Sequence, residues 1–398
     1  MKILVYAHRL ELGGTQGNAI ALAAELQERH GHDIAIHAED GPGTMHVRER
    51  GLRFLPAPEV RHQPSLARMR ALRHAVRTEK PDLIHAWGWS RGLEAYYGTH
   101  LTKRVPLLIS DMMMKLTRAL PRDVPTTFGF DGMTIEAAHK GWQRAMTLVP
   151  AIDTIANAPQ TVDGSVFRKN LGAKVNDVVV VAFARLATAT KSDSLVRAIT
   201  AVRALGKSLP LKLVIVGDGA ARESLQALAD DANTHLYREA VILTGEIDDP
   251  KPVYAAADIV LGMGESALRG LAFGKPLIVI GHKGFAAPFT PTTAATFSET
   301  GFFGTGDGTP DSRNMEDALW PIAQRPQLRA QLGPFGRDYV VHSHSLENVG
   351  GQLADFCQAA VAMPATIRSD ILDAARTAYY FVRERQFLAA LGDPLLMR

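Results

Sequence analysis

The chain is predicted to fold as two α/β domains in tandem, each a doubly wound parallel sheet with helices on both faces, and three observations carry that expectation. Its 398 residues, 46% hydrophobic and 21% charged, suffice for two cores of ordinary composition. Short apolar runs alternate with longer segments of helical period from the start, as parallel strands joined by covering helices do. The rhythm breaks over residues 147–176, where Pro150, Pro159, Gly164 and Gly172 punctuate polar residues, and then restarts.

Taken in order, the first strand is residues 3–7. The run Met1-Lys2-Ile3-Leu4-Val5-Tyr6-Ala7 is too short for a signal-peptide core, and no segment reaches the roughly 20 apolar residues that span a bilayer. Further strands are expected at residues 33–38, 53–56, 83–86, 107–110 and 146–149, with a helix over 15–30. After the break, strands are expected at 178–185, 211–217, 241–245, 259–262 and 277–280. From residue 346 the pattern is helical, notably 346–362 and 371–391. The expected organisation is therefore a domain over 1–155, a linker over 156–177, a second domain over 178–345, and C-terminal helices over 346–398 that pack on one domain or across both.

A formal charge of +3 gives no general argument for nucleic acid. Charge concentrates over residues 48–80, where Arg48, Arg50, Arg53 and Arg61 precede an amphipathic helix. That helix carries Leu66, Met69, Leu72 and Val76 on one face and Arg70, Arg73 and Arg77 on another. The region reads first as a solvated face, and its alternative is a contact with an acidic partner such as anionic lipid or a carrier protein. The lone Cys357 excludes a disulfide framework and a thiolate metal cluster, which implies a reducing, cytoplasmic compartment. No clustered carboxylates or histidines show metal-ligand spacing; Asp248-Asp249 before Pro250 reads as a turn, and His342 and His344 read as surface residues.

The second half carries Ala184-Arg185-Leu186 with Lys191, then Val216-Gly217-Asp218-Gly219, Leu243-Thr244-Gly245, Ala257-Asp258-Ile259-Val260, and Leu268 through Pro276. The first half adds Gly13-Gly14-Thr15, Pro81-Asp82-Leu83-Ile84-His85-Ala86 and Val149-Pro150-Ala151-Ile152-Asp153. In this order the motifs resemble the retaining glycosyltransferases of family 4. That resemblance implies the GT-B architecture, two Rossmann-like domains facing a cleft, with a nucleoside diphosphate sugar, most simply a UDP-sugar, bound by the second. It also implies retention, no metal and no further cofactor. The acceptor is expected to be a small molecule or linked to a carrier, and the short donor loop resembles enzymes of bacterial secondary metabolism.

The residues themselves support this. A diphosphate needs cations and amide N–H groups at a strand–loop–helix junction, and Arg185 and Lys191 flank one. Cations are unfavourable at a helix N-terminus unless an anion shares it. Gly217 and Gly219 fit the nucleotide pocket or a bare tight turn, and Leu243 ends a strand where the family's backbone meets the base. Gly264, Glu265, Ser266, Ala267 and Arg269 match the donor helix with one departure: Arg269 stands where the family has a ribose-binding glutamate, and Glu265 where short-loop relatives have arginine. A carboxylate at that helix N-terminus would repel a diphosphate, while the i,i+4 spacing lets the two charges pair. Altered donor geometry and loss of donor binding are both consistent with the exchange.

In the first half, Gly13 and Gly14 follow the strand too late for a dinucleotide fingerprint. In the family this loop approaches the donor phosphates, and Gly14 would let backbone come close. His85 beside Trp87 and Trp89 could face an acceptor or lie satisfied in the core. Asp111 could act as a base on the acceptor, and Met112, Met113 and Met114 could form its apolar wall. The expected activity is transfer of a hexose-type unit. The alternative is a non-catalytic nucleotide-sugar or partner-binding protein, and paired acids for an epimerase are not found.

Overall fold

The computed structural model describes residues 1–11, 13–60, 64–186, 191–363 and 367–390, and only the backbone at 191, 367–370 and 385–390. Contacts divide the chain into two units, residues 1–151 with 346 onward, and residues 152–345.

The first unit is a seven-stranded parallel sheet: β1 (Lys2–Tyr6), β2 (Asp33–Ala38), β3 (Arg53–Pro56), β4 (Leu83–Trp87), β5 (Leu107–Asp111), β6 (Thr126–Phe128) and β7 (Ala145–Thr147), in the order β3-β2-β1-β4-β5-β6-β7. Its strands are apolar on both faces because helices cover both: Ile3 lies between Ile34 and Leu83, and Ile3 to Tyr6 are buried. The connections are α1 (Gly14–Glu28), α2 (Thr44–Glu49), α3 (Leu66–Glu79), α4 (Trp89–Ala95), a π-helical turn (Tyr96–His100), α5 (Leu101–Lys103) and α6 (Asp131–His139). In α3, Met69, Leu72 and Val76 are buried as their spacing predicts, but Leu66, the first residue of the helix, is 70% exposed.

The second unit begins with α7 (Ser165–Asn170), so the stretch predicted as a linker is part of this unit. It continues β8 (Val178–Phe183), α8 (Lys191–Leu205), β9 (Leu211–Val216), α9 (Arg222–Leu236), β10 (Val241–Gly245), α10 (Lys251–Ala256), β11 (Ile259–Gly262), α11 (Glu265–Ala272), β12 (Leu277–Ile280), β13 (Ala286–Pro288), α12 (Ala294–Thr300), α13 (Arg313–Gln324) and α14 (Pro326–His344). The order is β10-β9-β8-β11-β12-β13, parallel except for β13. The valine run of β8 sits at its centre and contributes alternately to the cores on the two faces.

The chain then returns to the first unit through α15 (Leu346–Ala362) and α16 (Ile367–Ala390). Val349, Leu353, Ala354 and Cys357 of α15 join the first core, and Gly350 lies against Glu25 of α1. Burial pushes the Cys357 thiol up to about 12, which makes it inert. His344, expected at the surface, is 3% exposed. Its ring packs on Phe302 and its carbonyl accepts the Ile152 amide at 2.8 Å. His342 is exposed. No described helix is long and apolar enough to cross a membrane.

Candidate functional site

In open parallel sheets, ligands sit beyond the carboxyl ends of the strands where the strand order reverses. In the second unit that point lies between β8 and β11, and the donor-site residues expected from the sequence gather at this edge. Arg185, two residues past β8, is exposed and has no hydrogen-bond or ion-pair partner among the described residues. Its loop is laced to the turn after β9: Ala184 N donates to Val216 O at 3.1 Å, Leu186 N to Asp218 O at 2.9 Å, and Ala221 N to Leu186 O at 2.9 Å. Gly217 and Gly219 have φ of +137° and +147°, and a Cβ at either would collide with the carbonyl of Ala184 or Leu186. Both glycines are thus required by this bracing of the Arg185 loop, without reference to a ligand.

Lys191 opens α8, but its side chain lies outside the described residues. Leu243 packs into the core, so only its backbone is available at the edge. At α11, Gly264 is the N-cap residue and its N–H donates to Phe302 O at 3.0 Å. The Ser266 hydroxyl closes the turn, accepting from Met263 N at 3.2 Å and donating to Met263 O at 3.0 Å. Ala267, expected at the donor, is fully buried in the core instead, because α11 must press its first turn onto Gly262.

The two exchanged charges meet. Arg269 Nε and Nη2 lie 3.0 and 2.6 Å from Glu265 Oε1, with the side chains 37% and 26% exposed. Burial works against the Arg269 charge, and the adjacent Glu265 carboxylate more than offsets it, holding the guanidinium above its ordinary value. One residue that sequence reasoning missed fixes this helix: Tyr254, stacked between Phe183 and Phe273, donates from its hydroxyl to Ser266 O at 3.3 Å.

The first unit reverses between β1 and β4. Gly14 is the first residue of α1, exposed, with no side chain capping the helix. His85, expected near an acceptor, is a core histidine: it is 1% exposed and burial lowers it to about 3. Its Nε2 meets Ser110 Oγ at 2.7 Å, and Ser110 in turn accepts from Thr127 at 2.7 Å. Trp87, its ring tilted against the imidazole at 5.1 Å between centroids, is 1% exposed, so of the expected aromatic face only the half-buried Trp89 remains accessible.

Asp111 ends β5 and is likewise 1% exposed. Burial raises its carboxyl to about 7, although the amides of Met113 and Trp89 favour the ionised form. Its Oδ1 has no partner among the described residues. Met112 packs against the core, while Met113 and Met114 are 39% and 54% exposed.

A buried polar network beside these residues was not expected. Glu94 accepts from Tyr6, from Arg91 and, at 2.7 Å, from the Ser65 amide, while Arg68 pairs with Glu39. Arg91 and Glu94 are both fully buried. Burial and then the Arg91 and Arg68 charges lower His8 to about 3, and burial lowers His37 to about 4. The only sequence signal was Arg91 and Glu94 at helical i,i+3 spacing within an otherwise apolar stretch.

The basic region over residues 48–80 is partly consumed internally. Arg53 binds Asp33 and Glu79 and Arg73 binds the Gly98 carbonyl, which leaves Arg48, Arg50, Arg70 and Arg77 exposed. Arg61 lies outside the described residues. Among the described residues, no group of three or more His, Cys, Asp or Glu is arranged to hold a metal.

Two family models match this chain: a glycosyl transferase 4-like domain over residues 13–149 and glycosyl transferases group 1 over residues 177–299. A GDP-mannose-dependent monoacylated alpha-(1-6)-phosphatidylinositol monomannoside mannosyltransferase of Corynebacterium glutamicum is 30% identical over 209 residues, 49% of this chain. The match spans about half, 51%, of that relative's length. Among solved structures, a glycosyltransferase from Rickettsia africae superposes with a TM-score of 0.73 at 12% identity, covering 91% of this chain and 99% of its own. Anabaena HepE in complex with UDP superposes with a TM-score of 0.70 at 18% identity, covering 90% and 100%. These likenesses show the two-domain GT-B fold.

Proposed function

Because the chain belongs to the GT4-type glycosyltransferases, we propose that it transfers a hexose-type unit from a nucleoside diphosphate sugar to a small-molecule or carrier-linked acceptor, in the cytoplasm, with retention and without a metal. The observation that carries this reading is Arg185: an exposed guanidinium without a partner among the described residues, on a braced loop at the β8/β11 reversal. Such a cation, with Lys191 opening α8 beside it, supports the charge of a leaving diphosphate in a site that needs no reorganisation during reaction. UDP-sugar is the donor we propose, in keeping with the UDP-bound Anabaena neighbour, whereas the Corynebacterium relative is named for GDP-mannose. Asp111 is proposed as the base for the acceptor, supported by its unpartnered Oδ1 and a pKa near the working pH.

Release of nucleoside diphosphate from a panel of nucleotide sugars tests the transfer reading. Slow hydrolysis lost on Lys191→Ala is expected, and its absence with every donor and acceptor would overturn it. Thermal shift with uridine, guanosine, adenosine and thymidine diphosphates reads the base, with UDP expected to raise Tm most. EDTA should leave the rate unchanged, and the anomeric proton coupling of the product reports retention.

One observation favours a second reading. The Arg269 guanidinium is already bound to Glu265, which would suit a protein that holds a sugar nucleotide without turning it over. Tight nucleotide binding with no hydrolysis or transfer would select that reading.

A further inference from the structure

The helix α16 is fastened to the first unit along one side. Asp373 accepts the amides of Arg122 and Asp123 at 2.7 and 3.2 Å, and Tyr97 donates to the Ala374 carbonyl at 2.7 Å. Arg376 reaches the carbonyls of Arg118 and Leu120 at 2.8 and 2.6 Å. Glu384 takes the Thr117 hydroxyl and, at 2.9 Å, the Arg118 amide. This side therefore commits its described carboxylates to the loop between β5 and β6.

The other side is apolar and open. Ile371, Leu372, Tyr379 and Val382 are 63%, 67%, 57% and 55% exposed, and Ala375 and Ala378, exposed between them, complete one stripe at helical spacing. Met113 and Met114 stand exposed on the gripped loop, a few residues ahead of Arg118. A contiguous apolar surface on a folded protein marks an interaction site.

Charge identifies the occupant. With Asp373 and Glu384 turned inward, the exposed charge on the stripe's border among the described residues of α16 is Arg383, and Lys115 and Arg118 stand exposed on the gripped loop. Arg383 donates to the Tyr379 hydroxyl at 2.8 Å and its guanidinium lies over that ring, so a cation and an amphipathic aromatic share one border. An apolar helical stripe edged by arginine and lysine is the arrangement that lies in the interface of an anionic bilayer.

We propose that α16, with the Met113-Met114 loop beside it, docks the protein onto an anionic membrane surface. This goes beyond the transfer reading and does not rest on it, because the readout is binding without donor.

The full chain is mixed with vesicles of phosphatidylcholine alone or with phosphatidylglycerol, and the bound fraction is measured by sedimentation at rising salt. Binding to the phosphatidylglycerol vesicles that weakens with salt is expected. Tyr379→Glu with Val382→Glu should lower it at least about tenfold by placing charge in the interface. Should that double variant misfold by circular dichroism, Ile371→Ser with Leu372→Ser serves the same purpose and should cause a loss of several-fold. No partition to phosphatidylglycerol vesicles at low salt overturns the proposal, as does binding that ignores the α16 variants but is lost on Arg70→Gln with Arg77→Gln. Self-association abolished by the α16 variants, without vesicle binding, would make a second copy of the chain the occupant and overturn it as well.

Discussion

At the carboxyl edge of the first sheet most charged groups are buried in pairs, Arg91 with Glu94 and Arg68 with Glu39, whereas at the same edge of the second sheet Arg185 stands exposed without a partner among the described residues. Both edges are built from the same repeating units. In the first, Tyr6, Arg91, Glu94 and Arg68 form a network whose ionic members are needed because each compensates another in a medium of low dielectric. In the second, the half-exposed Glu265–Arg269 pair holds little energy and the Arg185 loop is braced only through backbone. Charge density is therefore common to both edges, and what separates them is whether the charge is buried in a pair.

The sharpest way to break this contrast is to remove one buried partner. Glu94→Gln leaves Arg91 uncompensated and should cost about 3–5 kcal/mol of stability, read as a lowered urea midpoint. A loss below about 1 kcal/mol would mean the network opens to water. Arg185→Ala, by contrast, should leave the melting temperature unchanged while reducing sugar transfer roughly 100-fold, the scale of one lost electrostatic donor. A variant that transfers normally would remove Arg185 from the site.

Asp111 tests the contrast within the first unit. Its folded-state pKa lies near 7, above the ordinary 3.8, so the folded chain retains a proton that the unfolded chain releases. Stability from this group is complete below about pH 4 and falls as pH rises towards 7. Asp111→Asn should accordingly be more stabilising at pH 8 than at pH 5, by about 2–3 kcal/mol, and should also depress transfer if Asp111 is the base. Equal melting shifts at both pH values would show that the carboxyl is not held protonated. A small stability effect is expected at the pair: Glu265→Gln should change stability by only about 0.3–0.5 kcal/mol. It should nevertheless tighten nucleoside diphosphate binding several-fold by titration calorimetry, because it frees Arg269 and removes a carboxylate from a helix N-terminus. Weaker binding would show that Glu265 itself holds the donor.

Much of this was legible before any coordinates. The strands β2, β3, β10, β11 and β12 have the predicted limits, because a short apolar run bounded by turn residues depends on neighbours in sequence. The strands β6 and β13 were missed: with three residues each, they are too short to show a period and exist by pairing with β5 and β12. The Glu265–Arg269 contact followed from i,i+4 geometry alone. His85 and His344 were ambiguous or misjudged because a histidine's environment is set by residues far along the chain, here Ser110 for the one and Phe302 for the other.

The sequence by itself determined two doubly wound sheets, the family, and which loops crowd the edge of the second sheet, since these depend on periodicity and on motif order. Tertiary structure alone decided that α15 and α16 belong with the first sheet, that Arg91 and Glu94 are interior, and that Gly217 and Gly219 brace the Arg185 loop. The physical reason is that desolvation and close approach are properties of what surrounds a group in space, and those neighbours lie dozens to hundreds of positions away along the chain.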